Sequence, residues 1–184
     1  MNLVDNFRDY RSKKLEKIAK AVANMGIKAN HITTLSLITG ILGVYYLFNN
    51  YYLFALFALL HLIFDGLDGV IARVTIPTTG GKYFDLISDS VVTFLAIVKT
   101  GFYLQDFYAY IAAGLFLLTL TIHLASRMQI PMLFMRTATI IILLIATNSL
   151  FPFTKMLLTA GYLVAGGVSL YSLSRPLQWH VNKK

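Results

Sequence analysis

Two stretches of the sequence place aspartates among residues that are otherwise mostly apolar. In "HLIFDGLDGVIAR", Asp65 and Asp68 are three residues apart, and in "GKYFDLISDS", Asp85 and Asp89 are four residues apart. Either separation places both side chains on one face of an α-helix. Clustered carboxylates supply the oxygen ligands that Mg²⁺ and Mn²⁺ prefer, and a carboxylate beside a hydroxyl can act as a general base.

The apolar surroundings indicate that these acids lie within a membrane. An aspartate at mid-membrane costs about 2.5 to 3.5 kcal/mol on insertion scales, so four of them in two neighbouring helices indicate a function. At about 1.5 Å of rise per residue, Asp65 lies roughly 12 Å from Arg73, and Asp89 lies roughly 10 Å from Lys82. A hairpin would bring the four carboxylates to similar depth, where we expect divalent cations to balance their charge.

The residues beside the acids suit a ligand that is part lipid and part phosphate. Gly69 carries no side chain and allows close approach to the backbone. Arg73 places a fixed cation where it can meet a phosphate. The following loop contains Thr78 and Thr79, whose hydroxyls are available to the same ligand, and it is kept from helix by Pro77.

The elements that must position these residues are apolar helices. The chain has 184 residues, of which 57% are hydrophobic and 13% are charged, and this composition fits neither a soluble globule nor a disordered chain. Apolar runs of about 18 residues can cross a bilayer, and short polar links favour antiparallel hairpins. We therefore predict an all-α integral membrane protein with six transmembrane helices. The predicted spans are residues 32–49, 51–73, 82–104, 107–128, 130–150 and 153–175.

The segment before the first span has a different pattern. Apolar residues recur at helical spacing in residues 1–28, and cations occupy the opposite face, which predicts an interfacial amphipathic helix. This helix either serves as a topology anchor or also lines the site. We predict one domain over residues 1–184, in which the six-helix bundle occupies residues 29–178. The absence of cysteine excludes disulfides and thiolate metal sites.

The distribution of charge predicts the orientation. The formal net charge is +8, and fourteen of the sixteen Lys and Arg residues lie at the termini or flank the second and fourth links between spans; the other two are Lys99 and Lys155. The positive-inside rule then places both termini and the acid-bearing end in the cytoplasm, in a multi-pass protein of the cell membrane. Anionic lipid headgroups account for the basic residues, so nucleic acid is not an expected partner.

The acid-bearing hairpin resembles a known signature. "DGLDGVIAR…GKYFDLISD" resembles the motif of the CDP-alcohol phosphatidyltransferase family, D-x-x-D-G-x-x-A-R followed by G-x-x-x-D-x-x-x-D, although the loop between the halves is one residue shorter than we expect. "ANHIT" at residues 29–33 is similar to the family's P-N-x-[VI]-T, with alanine in place of proline. Six spans after an interfacial helix are also the family's architecture. The matching positions of the signature are Asp65, Asp68, Gly69, Ala72, Arg73, Gly81, Asp85 and Asp89.

The resemblance implies a reaction and roles for individual residues. A phosphatidyl-type group, diacylglycerol phosphate or archaeol phosphate, would pass from a CDP-linked lipid to the hydroxyl of a small polar alcohol, with release of CMP. Asp65, Asp68 and Asp85 would bind two Mg²⁺ or Mn²⁺ ions, while Asp89 would contact one ion and act as general base. Family members are typically homodimers. The implied contacts to the CDP-lipid come from Asn30, Thr33, Gly69, Arg73, Thr78 and Thr79.

The acceptor site is implied by basic residues. Arg127 and Arg136 flank the link between the fourth and fifth predicted spans, where several family members carry arginines that bind the acceptor, and Lys82 is a third candidate. Two arginines suit a dianion, so we expect inositol phosphate or glycerol phosphate, as in phosphatidylinositol-phosphate, archaetidylinositol-phosphate and phosphatidylglycerol-phosphate synthases. L-Serine remains an alternative acceptor, and the two arginines are alternatively topology charges that snorkel to the interface.

Two other classes of protein use acids within a membrane. A cation- or proton-coupled transporter is expected to show broken helices and repeat symmetry, which this sequence does not display. A membrane prenyltransferase also binds a magnesium diphosphate, but its two aspartate motifs lie far apart, whereas here both lie in one hairpin. The transferase interpretation therefore agrees best with the sequence.

Two further features admit two interpretations each. His61, four residues before Asp65, either orients that carboxylate or is a buried histidine satisfied by packing and one backbone acceptor, and we favour the second. The stretch "AGGVS" in the last span provides a small-residue packing surface, either within the bundle or between subunits.

Overall fold

The computed structural model describes the backbone of residues 3–75, 78–129, 136–148 and 153–181, and the side chains of residues 14–75, 78–129, 137–148 and 153–174. Within these ranges the secondary structure is entirely helical, as the all-α prediction requires. The described helices are α1 (Leu3–Asn24), α2 (Ala29–Tyr46), α3 (Tyr51–Val74), α4 (Thr79–Leu104), α5 (Phe107–Ala125), α6 (Arg136–Ala146) and α7 (Thr154–Val181).

Four of the described helices are long and apolar enough to cross a membrane: α3, α4, α5 and the Thr154–Ser174 part of α7. This finding supports an integral membrane protein. The other two predicted spans correspond to α2 and α6. Helix α2 has 18 residues but is not among the four, and the apolar part of α6 is the shorter Thr137–Ala146. The count of six spans therefore stays a prediction.

Polar residues cap the helices at the hairpin turns. Asn50, Thr78 and Asp106 precede α3, α4 and α5, and each side chain accepts a hydrogen bond from a backbone amide of the first turn. These bonds satisfy donors that have no partner inside the helix. The turn between α3 and α4 brings the end of α3 and the start of α4 together; we call this the acidic end of the bundle, and the other the opposite end.

Helix α2 packs most extensively against α3 and also contacts α4. Its buried face consists largely of small and polar residues, including Thr33, Ser36, Thr39 and Gly40. A Cβ atom at Gly40 would lie 2.5 Å from Cγ2 of Val92 on α4, so only glycine permits this approach. The sequence of α2 therefore places a narrow face in the groove between α3 and α4.

The opposite end of the bundle has an apolar core that joins α2, α3, α4, α6 and α7. The surrounding lipid is as apolar as these side chains, so close packing rather than the hydrophobic effect holds the helices together. Lys99 of α4 donates to the carbonyl oxygens of Val44 at 2.8 Å and Tyr45 at 2.6 Å, which satisfies acceptors at the end of α2. The buried members of this core are Leu47, Phe54, Ala58, Ala96, Ile140, Leu143, Ala146 and Leu158.

Helix α1 packs across the acidic end of α3. Ala19 is fully buried in a cluster with Ile32 of α2 and with Val70 and Ile71 of α3. On the outer face, a hydrogen bond from Lys20 lowers the pKa of the exposed Glu16 carboxyl. The helix is amphipathic and supports the helix that carries Asp65 and Asp68, while its location at a membrane surface stays a prediction.

Part of the small-residue stretch of α7 packs within the chain. A Cβ atom at Gly166 would lie 3.2 Å from the Cβ atom of Ala112 on α5, whereas a Cβ atom at Gly167 would meet nothing within 4 Å. The Tyr162 hydroxyl also donates a hydrogen bond to Asp106, which precedes α5. The contact at Gly166 therefore supports the interpretation in which this stretch packs inside the bundle.

Candidate active site

Three of the four predicted metal ligands come together where α3 faces α4. One carboxylate oxygen from each of Asp65, Asp68 and Asp85 lies within 4.8 Å of the other two. Asp68 is 3% exposed, and the other two are half-buried. The spacing of Asp65 and Asp68 places both on one face of α3, and the turn to α4 brings Asp85 opposite them.

Three carboxylates at this separation repel one another strongly when ionised. At 4.8 Å, each pair of full charges is unfavourable by about 3.5 kcal/mol for an effective dielectric constant of about 20. A divalent cation between them removes this repulsion, and a set of carboxylate oxygens suits Mg²⁺ or Mn²⁺ better than a softer metal. The residues present therefore fit the divalent ions that the resemblance implies.

Asp89 lies outside this group of three. It is one turn beyond Asp85 on α4 and is half-buried, and its backbone carbonyl accepts a hydrogen bond from the Thr93 hydroxyl at 3.0 Å. The described geometry thus separates the aspartate that we expect to act as base from the three that are closest to one another. Its contact to one ion and its role as base stay predictions.

Thr33 of α2 is joined directly to the acidic group. Its hydroxyl donates a 2.7 Å hydrogen bond to Oδ2 of Asp68, and both residues are 3% exposed. Since a carboxylate oxygen can only accept here, the threonine supplies the proton of this bond. The resemblance implied that Thr33 contacts the CDP-lipid, a contact that stays a prediction; the hydrogen bond in the structure is to Asp68.

Two helices begin side by side at the acidic end. Asn30 lies in the first turn of α2, and Gly81 lies in the first turn of α4. A Cβ atom at Gly81 would lie 3.1 Å from the Oδ1 atom of Asn30. The Thr78 hydroxyl accepts a 3.0 Å hydrogen bond from the Gly81 amide and so caps α4, whose first residue is Thr79. The amino-terminal ends of helices carry partial positive charge and attract phosphates. Both ends therefore favour an anion here.

The other predicted contacts to the CDP-lipid lie at the end of α3. Gly69 follows Asp68 directly, and Arg73 is exposed in the last turn of the helix. The chain turns here into α4, which brings Arg73 to the same end of the bundle as Thr78 and Thr79. All six predicted CDP-lipid contacts thus belong to the acidic end, and their binding roles stay predictions.

The predicted acceptor residues lie on three different elements. Lys82 is exposed in the first turn of α4. Arg127 is exposed in the turn after α5 and has a φ of 52°, followed by Met128 with a φ of 60°, so this turn is left-handed at two residues that are not glycine. Arg136 begins α6, and its side chain lies outside the described residues. The acceptor pocket stays a prediction.

Sequence reasoning missed the contribution of Ser36. Its hydroxyl lies 2.9 Å from Nδ1 of His61, whose ring is 1% exposed, and the same nitrogen is 2.9 Å from the Ser36 carbonyl. This agrees with the favoured interpretation of His61 as a buried histidine with a backbone acceptor. The signal for Ser36 was present in the sequence, since Thr33, Ser36 and Gly40 lie on one helical face of an apolar segment.

Long apolar helices and a group of carboxylates between two of them define an all-helical membrane protein with a candidate metal centre. The model of the CDP-alcohol phosphatidyltransferase family matches residues 27–171, and the chain belongs to this family. No curated protein matches the chain. Membership supports phospholipid synthesis from a CDP-linked alcohol and an alcohol acceptor, and the family is generally dependent on divalent metals. It favours the enzyme over the transporter and the prenyltransferase.

Proposed function

We propose that the chain transfers a phosphatidyl-type group from a CDP-linked lipid to a small polar alcohol and releases CMP. The observation that carries this proposal is the group of Asp65, Asp68 and Asp85, whose oxygens lie within 4.8 Å of one another beside the starts of α2 and α4. The carboxylates suit divalent cations, and the helix starts favour phosphates. Such a site matches the diphosphate of a CDP-lipid.

The three clustered aspartates would hold two Mg²⁺ or Mn²⁺ ions, and Asp89 would contact one of them. When bound, these ions would neutralise the negative charge that develops on the departing CMP. The carboxylates themselves would bind the ions and, because Asp68 is buried, would keep the charges in a region of low dielectric. Electrostatic interactions are stronger there than in water.

Asp89 would accept the proton of the acceptor hydroxyl. The acceptor oxygen then forms a bond to the phosphorus of the phosphatidyl group, and the bond from that phosphorus to the CMP oxygen breaks. The product lipid keeps the phosphate, CMP leaves with the bonding electrons, and the proton stays on Asp89 until solvent removes it. A position one turn from the clustered acids is compatible with this role, since the base must reach the acceptor rather than the diphosphate.

The donor's cytidine diphosphate would lie at the acidic end. We propose that Arg73 pairs with a phosphate, that Gly69 leaves room for the ligand beside Asp68, and that the loop hydroxyls of Thr78 and Thr79 donate to it. Asn30 completes this set from α2, and Thr33, which the resemblance adds to it, is the residue whose hydroxyl is bonded to Asp68. The nearness of Asn30 to the start of α4 supports its place beside the nucleotide.

The acceptor would be a phosphorylated polyol, inositol phosphate or glycerol phosphate, bound by Lys82, Arg127 and Arg136; L-serine is the alternative. Arginine suits this task because its planar guanidinium binds phosphate with two parallel hydrogen bonds. If the Arg136→Ala variant can no longer use any acceptor but still binds CDP-lipid and metal, this result would support the pocket. Kinetics equal to the wild type would assign Arg136 to topology alone.

We further propose that the chain is a homodimer of the cell membrane with six spans and that the acidic end and both termini face the cytoplasm. The charge distribution supports this orientation, since fourteen of the sixteen Lys and Arg residues lie in the segments assigned to that side. Labelling of cysteines introduced singly at Lys82 and Lys155 in intact cells tests it: a reagent that does not cross the membrane should modify only the second.

The decisive experiment measures CMP release by the purified protein. The reaction contains a CDP-lipid with ester- or ether-linked chains, Mg²⁺ or Mn²⁺, and one acceptor from a panel of inositol phosphate, glycerol phosphate and serine. We expect release with one acceptor and none when the acceptor or the metal is omitted. Absence of CMP with every acceptor and both donors would contradict the proposed reaction.

A further inference from the structure

We infer that Thr33 is a positioning residue, whose hydroxyl orients the Asp68 carboxylate for cation binding. Helix α2 would then complete a metal centre whose ligands belong to α3 and α4. This inference rests on the proposed function, because it assumes that Asp68 binds a divalent ion. It gives Thr33 a task at the metal ligand in place of a direct contact with the nucleotide.

The geometry of the contact supports this role. The Thr33 hydroxyl lies 2.7 Å from Oδ2 of Asp68, and each residue is 3% exposed. Water therefore has little access to either group and does not readily replace the bond. A hydrogen bond to a carboxylate is about twice as strong as one between neutral groups when the acid is ionised.

The hydroxyl has one proton and two acceptors within reach. The Ala29 carbonyl is 3.1 Å away, and the Asp68 oxygen is 2.7 Å away. The shorter bond also has the acceptor that carries charge, so the proton belongs on the bond to Asp68 when that acid is ionised. The bond fixes the rotation of the carboxylate plane, which decides where its oxygens point relative to Asp65 and Asp85.

A second contact makes the position of Thr33 stable. One turn further along α2, Ser36 is hydrogen-bonded to His61 of α3, and Gly40 lies close to Val92 of α4. Contacts at successive turns of one face fix both the rotation of α2 about its axis and its register against α3. The Thr33 hydroxyl is thereby held at the height of Asp68.

A direct role in nucleotide binding makes a different prediction. If Thr33 contacts the CDP-lipid, its loss should raise the KM for that substrate and leave metal affinity unchanged. If Thr33 orients Asp68, its loss should weaken metal binding even without nucleotide. Enough metal should then restore CMP release with a near-normal KM for the CDP-lipid.

The test measures Mn²⁺ binding to the purified full chain in detergent, without CDP-lipid, from the electron paramagnetic resonance signal of free Mn²⁺. Thr33→Val keeps the shape and removes the hydroxyl, and we expect affinity about 10- to 100-fold weaker, as for other partners of metal ligands. Thr33→Ser keeps the hydroxyl and should bind within about threefold of the wild type, well under that expected loss.

Thr39→Val is the matched control. Thr39 is also buried on α2, but its hydroxyl donates to the carbonyls of Leu35 and Ser36 in its own helix. We expect this variant to bind Mn²⁺ as the wild type does. If Thr33→Val does not fold, Thr33→Ala is compared with Thr33→Ser in its place, with the same loss expected.

The outcomes separate this inference from the proposed function. Equal Mn²⁺ affinity in the wild type and Thr33→Val, with CMP release by the wild type, would overturn the role of Thr33 and leave the reaction intact. A raised KM for the CDP-lipid with unchanged Mn²⁺ affinity would also overturn it, in favour of direct contact. Absence of Mn²⁺ binding by the wild type would overturn both the inference and the proposed metal centre.

Discussion

Ser36 of α2 and His61 of α3 are joined by reciprocal hydrogen bonds across the interface of the two helices. His61 Nδ1 lies 2.9 Å from the Ser36 carbonyl, and the Ser36 hydroxyl donates to the His61 carbonyl at 3.1 Å. A carbonyl can only accept, so the first bond requires the proton of His61 to be on Nδ1. Each residue therefore bonds the other's backbone, and the pair holds α2 in register with the helix that carries Asp65 and Asp68.

Replacing Ser36 by alanine should reduce stability. The variant loses the hydroxyl that reaches His61, and we expect the free energy of unfolding to fall by about 0.6 kcal/mol, the average for such bonds in membrane helices, and by no more than about 1.7 kcal/mol, their maximum. Thermal unfolding in detergent, followed by loss of helical circular dichroism, measures the effect. Ser174→Ala is the control, since that hydroxyl donates to Tyr171 in its own helix. Equal losses in both variants would remove the special role of the pair.

Replacing Asp89 by asparagine should stop the chemistry and retain the substrate. Asparagine has nearly the same shape but cannot accept the acceptor's proton, so we expect CMP release to fall by about 10²- to 10⁴-fold. Binding of CDP-lipid, measured by calorimetry, should persist. Asp106→Asn is a control at the opposite end, where asparagine remains a good helix cap. Turnover by Asp89→Asn near the wild-type rate would show that Asp89 is not the base.

Replacing Gly81 by alanine should weaken binding of the CDP-lipid. The added Cβ would lie 3.0 Å from the Thr78 hydroxyl and 3.1 Å from Oδ1 of Asn30, so the cap of α4 or the asparagine must shift. We expect a higher KM for the CDP-lipid. At Gly80, a Cβ atom would meet nothing within 4 Å, and Gly80→Ala should keep a KM close to that of the wild type.

Steady-state CMP release at varied CDP-lipid concentration compares the two glycine variants. A higher KM in Gly81→Ala alone supports the closeness of α2 and α4 at the donor site. If both variants change equally, the effect comes from stiffening of the loop before α4, and the contact with Asn30 has no part in it.

Replacing Gly40 by alanine should destabilise the groove that holds α2. Its Cβ would lie 2.5 Å from Cγ2 of Val92 and 3.1 Å from Nδ1 of His61, so α2 must move away from α4. Overpacking of this kind costs about 1 to 3 kcal/mol. The melting temperature should fall, and Mn²⁺ affinity should fall with it because α2 carries Thr33.

Gly114→Ala is the matched control for Gly40→Ala. Gly114 lies in α5, and an added Cβ would meet nothing within 4 Å, so alanine there should leave the melting temperature unchanged or raise it slightly. Gly40→Ala with unaltered stability and unaltered Mn²⁺ affinity would contradict the tight fit of α2 between its neighbours.

Much of the site could be predicted because its determinants are local. The spacing of Asp65 and Asp68 on one helix, and the short turn that leads to Asp85, are enough to bring three carboxylates together. Helical spacing places Asp85 and Asp89 on one side of α4 and does not by itself decide which of the two acids lies nearer to α3. That distance depends on how the two helices cross.

The helical class and the acid-bearing hairpin could be predicted from composition, periodicity and sequence spacing. In a membrane only a few structures satisfy the hydrogen bonds of the backbone, and a short turn places consecutive helices side by side. The partners of the acids were not readable in the same way. Thr33 and Asp68 are 35 residues apart, and their meeting depends on the register of α2 in its groove. Register is a property of packed surfaces, set by Gly40 against Val92 and by Ser36 against His61, so it exists only once three helices have assembled.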